Sequence, residues 1–150
     1  MSAGVLPLGL IRDRVRDQCP LFLEVGDGAG LARIAQVAVV PPACFVIPIS
    51  DVPGANRYAG DHPVSQMTLA QFALIYAARD LSPHDRGSGA LTELEEARSQ
   101  ARAALVGWMP AGAHESCRLA RGRLTSGLAG QGVGLWQDDF TTRFDLRSTS

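Results

Sequence analysis

Hydrophobic and polar positions along the chain form two helical patterns. Apolar residues three and four apart, with charged residues between them, predict an amphipathic helix over Leu8–Gln18 that Pro20 ends. A longer stripe of the same spacing, from Leu91 to Trp108, predicts a second helix over residues 89–108. Its early glutamates and later arginines follow the order that the helix dipole favours. We therefore expect two main helices.

The middle of the chain predicts a long hairpin with one ambiguous arm. Residues 43–49 are an apolar strand in which Pro48 indicates an edge position or a bulge. A polar loop, residues 51–63, follows, and a loop of this length is typical of a binding surface. Residues 64–79 then fit either a helical stripe or a strand buried on both faces, and their alanines favour a helix.

The remaining patterns predict short elements and a C-terminal β-hairpin. Residues 21–25 are typical of a short strand and residues 31–37 of a brief helix. Residues 118–125 predict one strand, and residues 127–134 predict a turn. Residues 135–137 and 140–146 predict the last strand, the latter by alternation of apolar and polar side chains. Strands separated by one long helix indicate an α+β fold rather than a repeated βαβ unit.

Composition limits the ligands and the reaction types that are open to the chain. A chain of 150 residues with 46% hydrophobic and 19% charged residues predicts one folded domain, residues 1–150. Its net charge of −1 predicts no sustained binding to duplex DNA or to an anionic membrane. All 14 basic residues are arginine. The absence of lysine excludes Schiff-base chemistry, a lysine general base and the lysine of a phosphate-binding loop.

The cysteines and the N-terminus predict the compartment. Cys19, Cys44 and Cys117 are an odd number without paired spacing, which is not typical of a disulfide framework. The apolar N-terminus lacks a basic lead, and no apolar run reaches the roughly 18 residues of a membrane span. We expect a soluble protein in a reducing, intracellular compartment.

The strongest enzyme-like signal is a glycine-rich turn after the first predicted strand. Gly26, Gly28 and Gly30 are similar to the first motif of S-adenosylmethionine methyltransferases, and Asp51 follows where a ribose-binding acid is found. The helical piece that follows is too short to cross over to a parallel strand, and no second βα unit follows. We therefore predict no bound cofactor and keep S-adenosylmethionine binding as the alternative.

Other reactive residues have structural explanations. Adjacent residues of a strand lie on opposite faces, so we interpret Asp138 and Asp139 as a solvated turn rather than a catalytic pair. Trp108 and Trp136 are interpreted first as core aromatics and second as interface anchors. Because paired ligands at zinc-site spacing are missing, we predict no metal site among the following residues: His114 with Cys117, Cys19, Cys44, His62 and His84.

The order of patterns resembles one family over nearly the whole chain. The resemblance lies in the apolar run after Pro41, the pair Asn56 and Arg57, the segment that Gln66 opens, and the closing Trp136 region. These features are similar to the tail terminator proteins of long-tailed bacteriophages and prophages. The resemblance implies an α+β fold with a mixed or antiparallel sheet and helices on one face. On this basis we predict that residues 64–79 are a strand.

The resemblance also implies a structural role rather than catalysis. Six copies would form a ring that ends polymerisation of the tail tube and contacts the head-side neck, with DNA passing through the pore without specific binding. The partners would be further copies of the chain, the major tail tube protein and a neck protein, in a virion tail assembled in the bacterial cytoplasm. Another head-tail joining protein is the nearest alternative. We predict interface roles for Asn56, Arg57, Tyr58, Gln66 and Trp136.

Overall fold

The computed structural model describes residues 4–29, 42–58, 60, 63–79, 88–128 and 133–148. Within these residues, two helices and five strands make up an α+β fold, as predicted. In chain order they are α1 (Leu8–Gln18), β1 (Glu24–Gly26), β2 (Ala43–Asn56), β3 (Ser65–Arg79), α2 (Ser88–Leu105), β4 (Arg118–Leu128) and β5 (Val133–Arg147).

The five strands form one mixed sheet in the order β1-β2-β3-β5-β4. β1 runs parallel to β2, and all the other pairs are antiparallel. Our expectation that the chain after Gly26 could not cross over to a parallel strand was wrong, because Glu24 pairs with Ala43. The connection over residues 27–42 exceeds the dozen residues that such a crossover needs.

The core lies between the helices and one face of the sheet. Alternate residues of β3, including Phe72, Leu74 and Tyr76, pack there with α1 and α2. The Phe72 ring stacks on Phe140 of β5 with 5.6 Å between ring centroids. Ala73 on the other face of β3 is also fully buried. Burial of both faces explains why this strand shows no polar alternation, and the prediction of a strand is confirmed.

Several predicted boundaries were wrong. β2 does not end at residue 49 but continues to Asn56, so the strand takes up about half of the predicted loop. Register shifts after Pro48 and after Pro53 accommodate the two prolines, and the first confirms the predicted bulge. α2 ends at Leu105, before the predicted residue 108, because Gly107 adopts a left-handed φ of 86° that ends the helix.

Two further predictions have different outcomes. The first strand is shorter than predicted and spans Glu24–Gly26 rather than residues 21–25. The brief helix predicted over residues 31–37 lies outside the described residues. Among the helices that the structure describes, none combines the length and the apolar character needed to cross a membrane.

Candidate assembly interface

Three strands of the sheet continue past the pairings with β1 and β4 and form an arm. We define the arm as residues 50–56 of β2, 65–71 of β3 and 142–147 of β5. β1 pairs with β2 only at residues 43–45, and the pairing of β4 with β5 stops at Thr141. Within the described chain, the outer edge of β2 beyond residue 45 therefore has no strand beside it. Unpaired strand edges are natural places for contact with another chain.

A buried carboxylate fixes the end of the arm. The side chain of Asp145 is almost fully buried. It accepts a hydrogen bond from Ser65 Oγ at 2.7 Å and forms an ion pair with Arg57 Nη2 at 2.8 Å. Arg147 Nε also donates to it. The hydrogen bond from Ser65, followed by that from Arg147, holds the pKa of Asp145 below its usual value. The three donors tie the chain after β2 to β3 and β5.

Asn56 orders the turn that follows β2. Its Oδ1 accepts hydrogen bonds from the backbone N–H of Ser65 at 2.8 Å and of Tyr58 at 3.2 Å. Gln66 Nε2 donates to the carbonyl oxygen of Gly54 at 2.9 Å, across the shifted register. These bonds satisfy backbone groups that the turn and the bulge would otherwise leave without partners.

The same region exposes apolar surface. Tyr58 beside the arm is 46% exposed, and Val52 on the free edge of β2 is 57% exposed. Ile49, at the first register shift, is exposed as well. Large apolar side chains held outward on an ordered framework lose little further freedom on binding, which favours association.

Four of the five predicted interface residues come together and one does not. Asn56, Arg57, Tyr58 and Gln66 all lie at the end of the arm. Trp136 lies at the other end of the sheet, opposite Tyr76 of β3. It packs on the core from the side, with the Arg98 guanidinium 3.9 Å from its ring centroid. The structure therefore gives Trp136 a packing role, and its interface role stays a prediction.

Asp138 belongs to a buried network, and its prediction as part of a solvated turn was wrong. It lies in the middle of β5 and is fully buried. Its carboxylate accepts hydrogen bonds from Tyr76 Oη at 3.0 Å, Trp136 Nε1 at 2.7 Å, and Arg102 Nε and Nη2, both at 2.8 Å. The bidentate pair with Arg102 joins α2 to the sheet. Burial, the largest cause, raises the pKa of Tyr76 well above its usual value.

Asp139 is also buried, so the turn prediction was wrong for it too. The prediction of opposite faces was right, because Asp139 has a separate set of partners. Gln137 Nε2 donates to it at 2.7 Å, and Arg123 Nη1 lies 3.4 Å away. Sequence reasoning missed both carboxylates, although their position in an alternating strand between Trp136 and Phe140 was a usable signal.

Gly122 allows β4 to approach the side chains of Asp138 and Arg102 closely. A Cβ on Gly122 would lie 2.6 Å from Asp138 Oδ1 and 2.7 Å from Arg102 Nη2. Real Cβ atoms do not come so near to other atoms, so a side chain at this position of β4 would displace the ion pair.

The cysteines lack the features of reactive thiols. Cys19, Cys44 and Cys117 are free and buried. Burial raises the pKa of Cys19 and Cys117 to about 11, and that of Cys44 well above its usual value, so all three remain protonated near neutral pH. The described residues include no group of three or more side chains able to hold a metal ion. His62 and His84 lie outside them.

The glycine-rich turn has a packing explanation at its first position. A Cβ on Gly26 would lie 3.2 Å from the Phe45 ring, so glycine lets β1 approach β2. Asp51 does not follow the end of a strand as expected, because β2 continues past it. β3 is antiparallel to β2, so a doubly wound parallel sheet is not formed. Gly30 lies outside the described residues.

Comparison with known proteins supplies one family. The family model described as phage tail terminator protein matches residues 1–150, the whole chain. No curated protein matches this chain.

Proposed function

The chain belongs to the phage tail terminator family, and from that premise we propose that six copies form a ring that caps the tail tube. The protein is a structural component of a bacteriophage tail. In the proposed role the ring ends polymerisation of the tube and presents the surface to which the head is joined. The chemistry is binding alone, and no catalytic step forms part of the proposal.

The arm is the observation that carries this proposal. A closed ring needs two different surfaces on each subunit, which meet head to tail. The arm offers one of them: it is ordered by Asp145 and Asn56, exposes Tyr58, and along β2 has an edge without a partner strand in the described chain. Such a surface suits contact with a second copy because it is ordered before binding.

The remaining parts of the proposal concern partners and place. Residues 1–150 act as one domain, and each ring contacts the major tail tube protein on one side and a neck protein on the other. DNA passes through the pore without specific binding, which the net charge of −1 supports because no overall field attracts phosphate. Assembly takes place in the cytoplasm of the host bacterium before the virion is released.

Particle shape and tube length test the proposal. We expect light scattering to give the mass of six chains and negative-stain images to show rings with a central pore. Added to polymerising tube protein, the chain should shorten the tubes and sit at one end. A monomer that leaves tube length unchanged would refute the proposal. Calorimetric binding of S-adenosylmethionine by such a monomer would favour the alternative.

Substitutions at the arm locate the contact. Changing both Asn56 and Arg57 to alanine should weaken ring formation more than folding, and Tyr58→Ala should do so without touching the Asp145 contacts. Asp17→Ala, at an exposed position of α1, is the matched control. Ring formation is followed by sedimentation and folding by thermal melting. Unchanged rings in both arm variants would remove the arm from the interface.

A further inference from the structure

A small cavity opens beside the edge of β2. Its volume is about 140 Å³, and among the described residues that line it Asp51 is the only acidic one. The walls are largely apolar and include Val5 and Leu8 near α1, with Pro48 and Phe72 from the sheet. Asp51 is exposed, and its carboxylate makes no hydrogen bond or ion pair with the described residues.

The opposite edge of the sheet carries the complementary charge. β4 includes Arg118, Arg121 and Arg123 and no acidic residue. Arg121 is exposed and has no ion pair among the described residues, and Arg118 is held only by Glu115 at 3.3 Å. Leu124 adds an apolar side chain that is 64% exposed.

The edge formed by β1 and β2 has the reverse composition. Within these two strands the charged residues are Glu24 and Asp51, both acidic. Ile49 and Val52 on either side of Asp51 are exposed. The two outer edges of one sheet are therefore opposite in charge, and both expose aliphatic side chains.

We propose that the outer edge of β4 in one copy seats against the β2 edge of the next copy, with Arg118 and Arg121 facing Asp51 and its cavity. This contact rests on the proposed ring and names its second surface. An arginine fits such a cavity, because its aliphatic stem packs on apolar walls while the guanidinium reaches the carboxylate. Contact between different edges is head to tail, as a closed ring requires.

The strand registers support this pairing. Asp51 pairs with Ala70 of β3, and Ala70 pairs with Thr142 of β5. The preceding residue, Thr141, pairs with Arg118 of β4. Asp51 and Arg118 thus lie at nearly the same height along the strands. Rotation about an axis that runs along the strands keeps that height, so the two residues lie at the same level in neighbouring copies.

Side chains rather than backbone hydrogen bonds make this contact. Pro48 and Pro53 lack an N–H, and the register shift that follows each of them interrupts the edge of β2. A continuous ladder with β4 of the next copy is therefore excluded. Because exposed charges supply much of the attraction, ring formation should weaken as salt is added.

Charge reversal in the full-length chain tests the contact. Asp51→Arg and Arg118→Asp should each reduce ring association at physiological salt by about tenfold or more, and the double variant should recover most of the loss. Arg121→Asp repeats the test at a position that has no ion pair within the described part of the chain. Asp17→Arg, an exposed aspartate on α1, is the matched control. Equal melting temperatures would show that folding is intact.

The outcomes separate this contact from the ring itself. A wild-type chain that stays monomeric refutes the ring and the contact together. A wild-type ring that tolerates both single reversals, or a double variant that recovers nothing, refutes the contact and leaves the ring standing. If Arg118→Asp keeps its rings but no longer retains a short DNA duplex that the wild type retains, the arginines face DNA and the contact is likewise refuted.

Discussion

Replacing Asp138 with alanine should remove several kcal/mol from the free energy of unfolding. The carboxylate is fully buried and is the common acceptor for Tyr76, Arg102 and Trp136. Its loss leaves a guanidinium, a phenol and an indole without their acceptor. A buried polar group without a partner lowers the free energy of unfolding, because it lost its hydrogen bonds to water on folding and the protein no longer replaces them.

The magnitude follows from the burial of the partners. Removing one member of a buried ion pair costs about 3–5 kcal/mol. The Arg102 side chain is 33% exposed, so water can solvate part of its guanidinium and the ion-pair loss falls near the lower figure. The stranded Tyr76 and Trp136 donors add about 1 kcal/mol each. The total is about 5 kcal/mol, which for this chain length lowers the melting temperature by about 10–20 °C.

Asp139→Ala is the matched control on the neighbouring residue. Asp139 lies on the other face of β5, and its cationic partner Arg123 is 39% exposed and 3.4 Å away. Such a partly exposed ion pair contributes at most about 1 kcal/mol, and the stranded Gln137 amide adds about 1 kcal/mol, so the loss should be about 2 kcal/mol. Urea unfolding followed by circular dichroism measures both variants. Equal losses, or an Asp138→Ala variant within about 1 kcal/mol of the wild type, would refute the assignment of the network.

Two further predictions concern the packing at β4 and the pH dependence of the arm. Gly122→Ala should lower the free energy of unfolding by about 1–3 kcal/mol, because its Cβ would lie 2.6 Å from Asp138 Oδ1. Gly134→Ala should be nearly neutral, because its Cβ would have no described atom within 4 Å. Equal urea midpoints for the two variants would contradict this. The pKa of Asp145 is lowered in the folded chain, first of all by the hydrogen bond from Ser65. The ionised carboxylate therefore contributes its full stabilisation at pH values above the unfolded pKa of about 3.9. This contribution is lost as pH falls through the lower, folded pKa. Stability measured between pH 5 and pH 2.5 should fall less in Asp145→Asn than in the wild type, and parallel curves would contradict the linkage.

Local pattern was sufficient for the elements that bury one face. α1 was predicted at its observed bounds, since residues three and four apart, such as Ile11 and Val15, meet the core on one side of a helix. The C-terminal hairpin followed from the alternation around Phe140. The order of these patterns along the chain also indicated the family, which the family model then matched over residues 1–150.

Features that join distant parts of the chain needed the folded structure. β3 is buried on both faces, so its own sequence fits both a helix and a strand, and its alanines favour the helix, until β2 and β5 are placed beside it. Asp138 is buried because Tyr76 and Arg102, 62 and 36 residues away, supply its hydrogen bonds. Burial of a charge depends on partners that local spacing does not reveal, and the arm and the two oppositely charged edges likewise arise from the order of strands in the sheet.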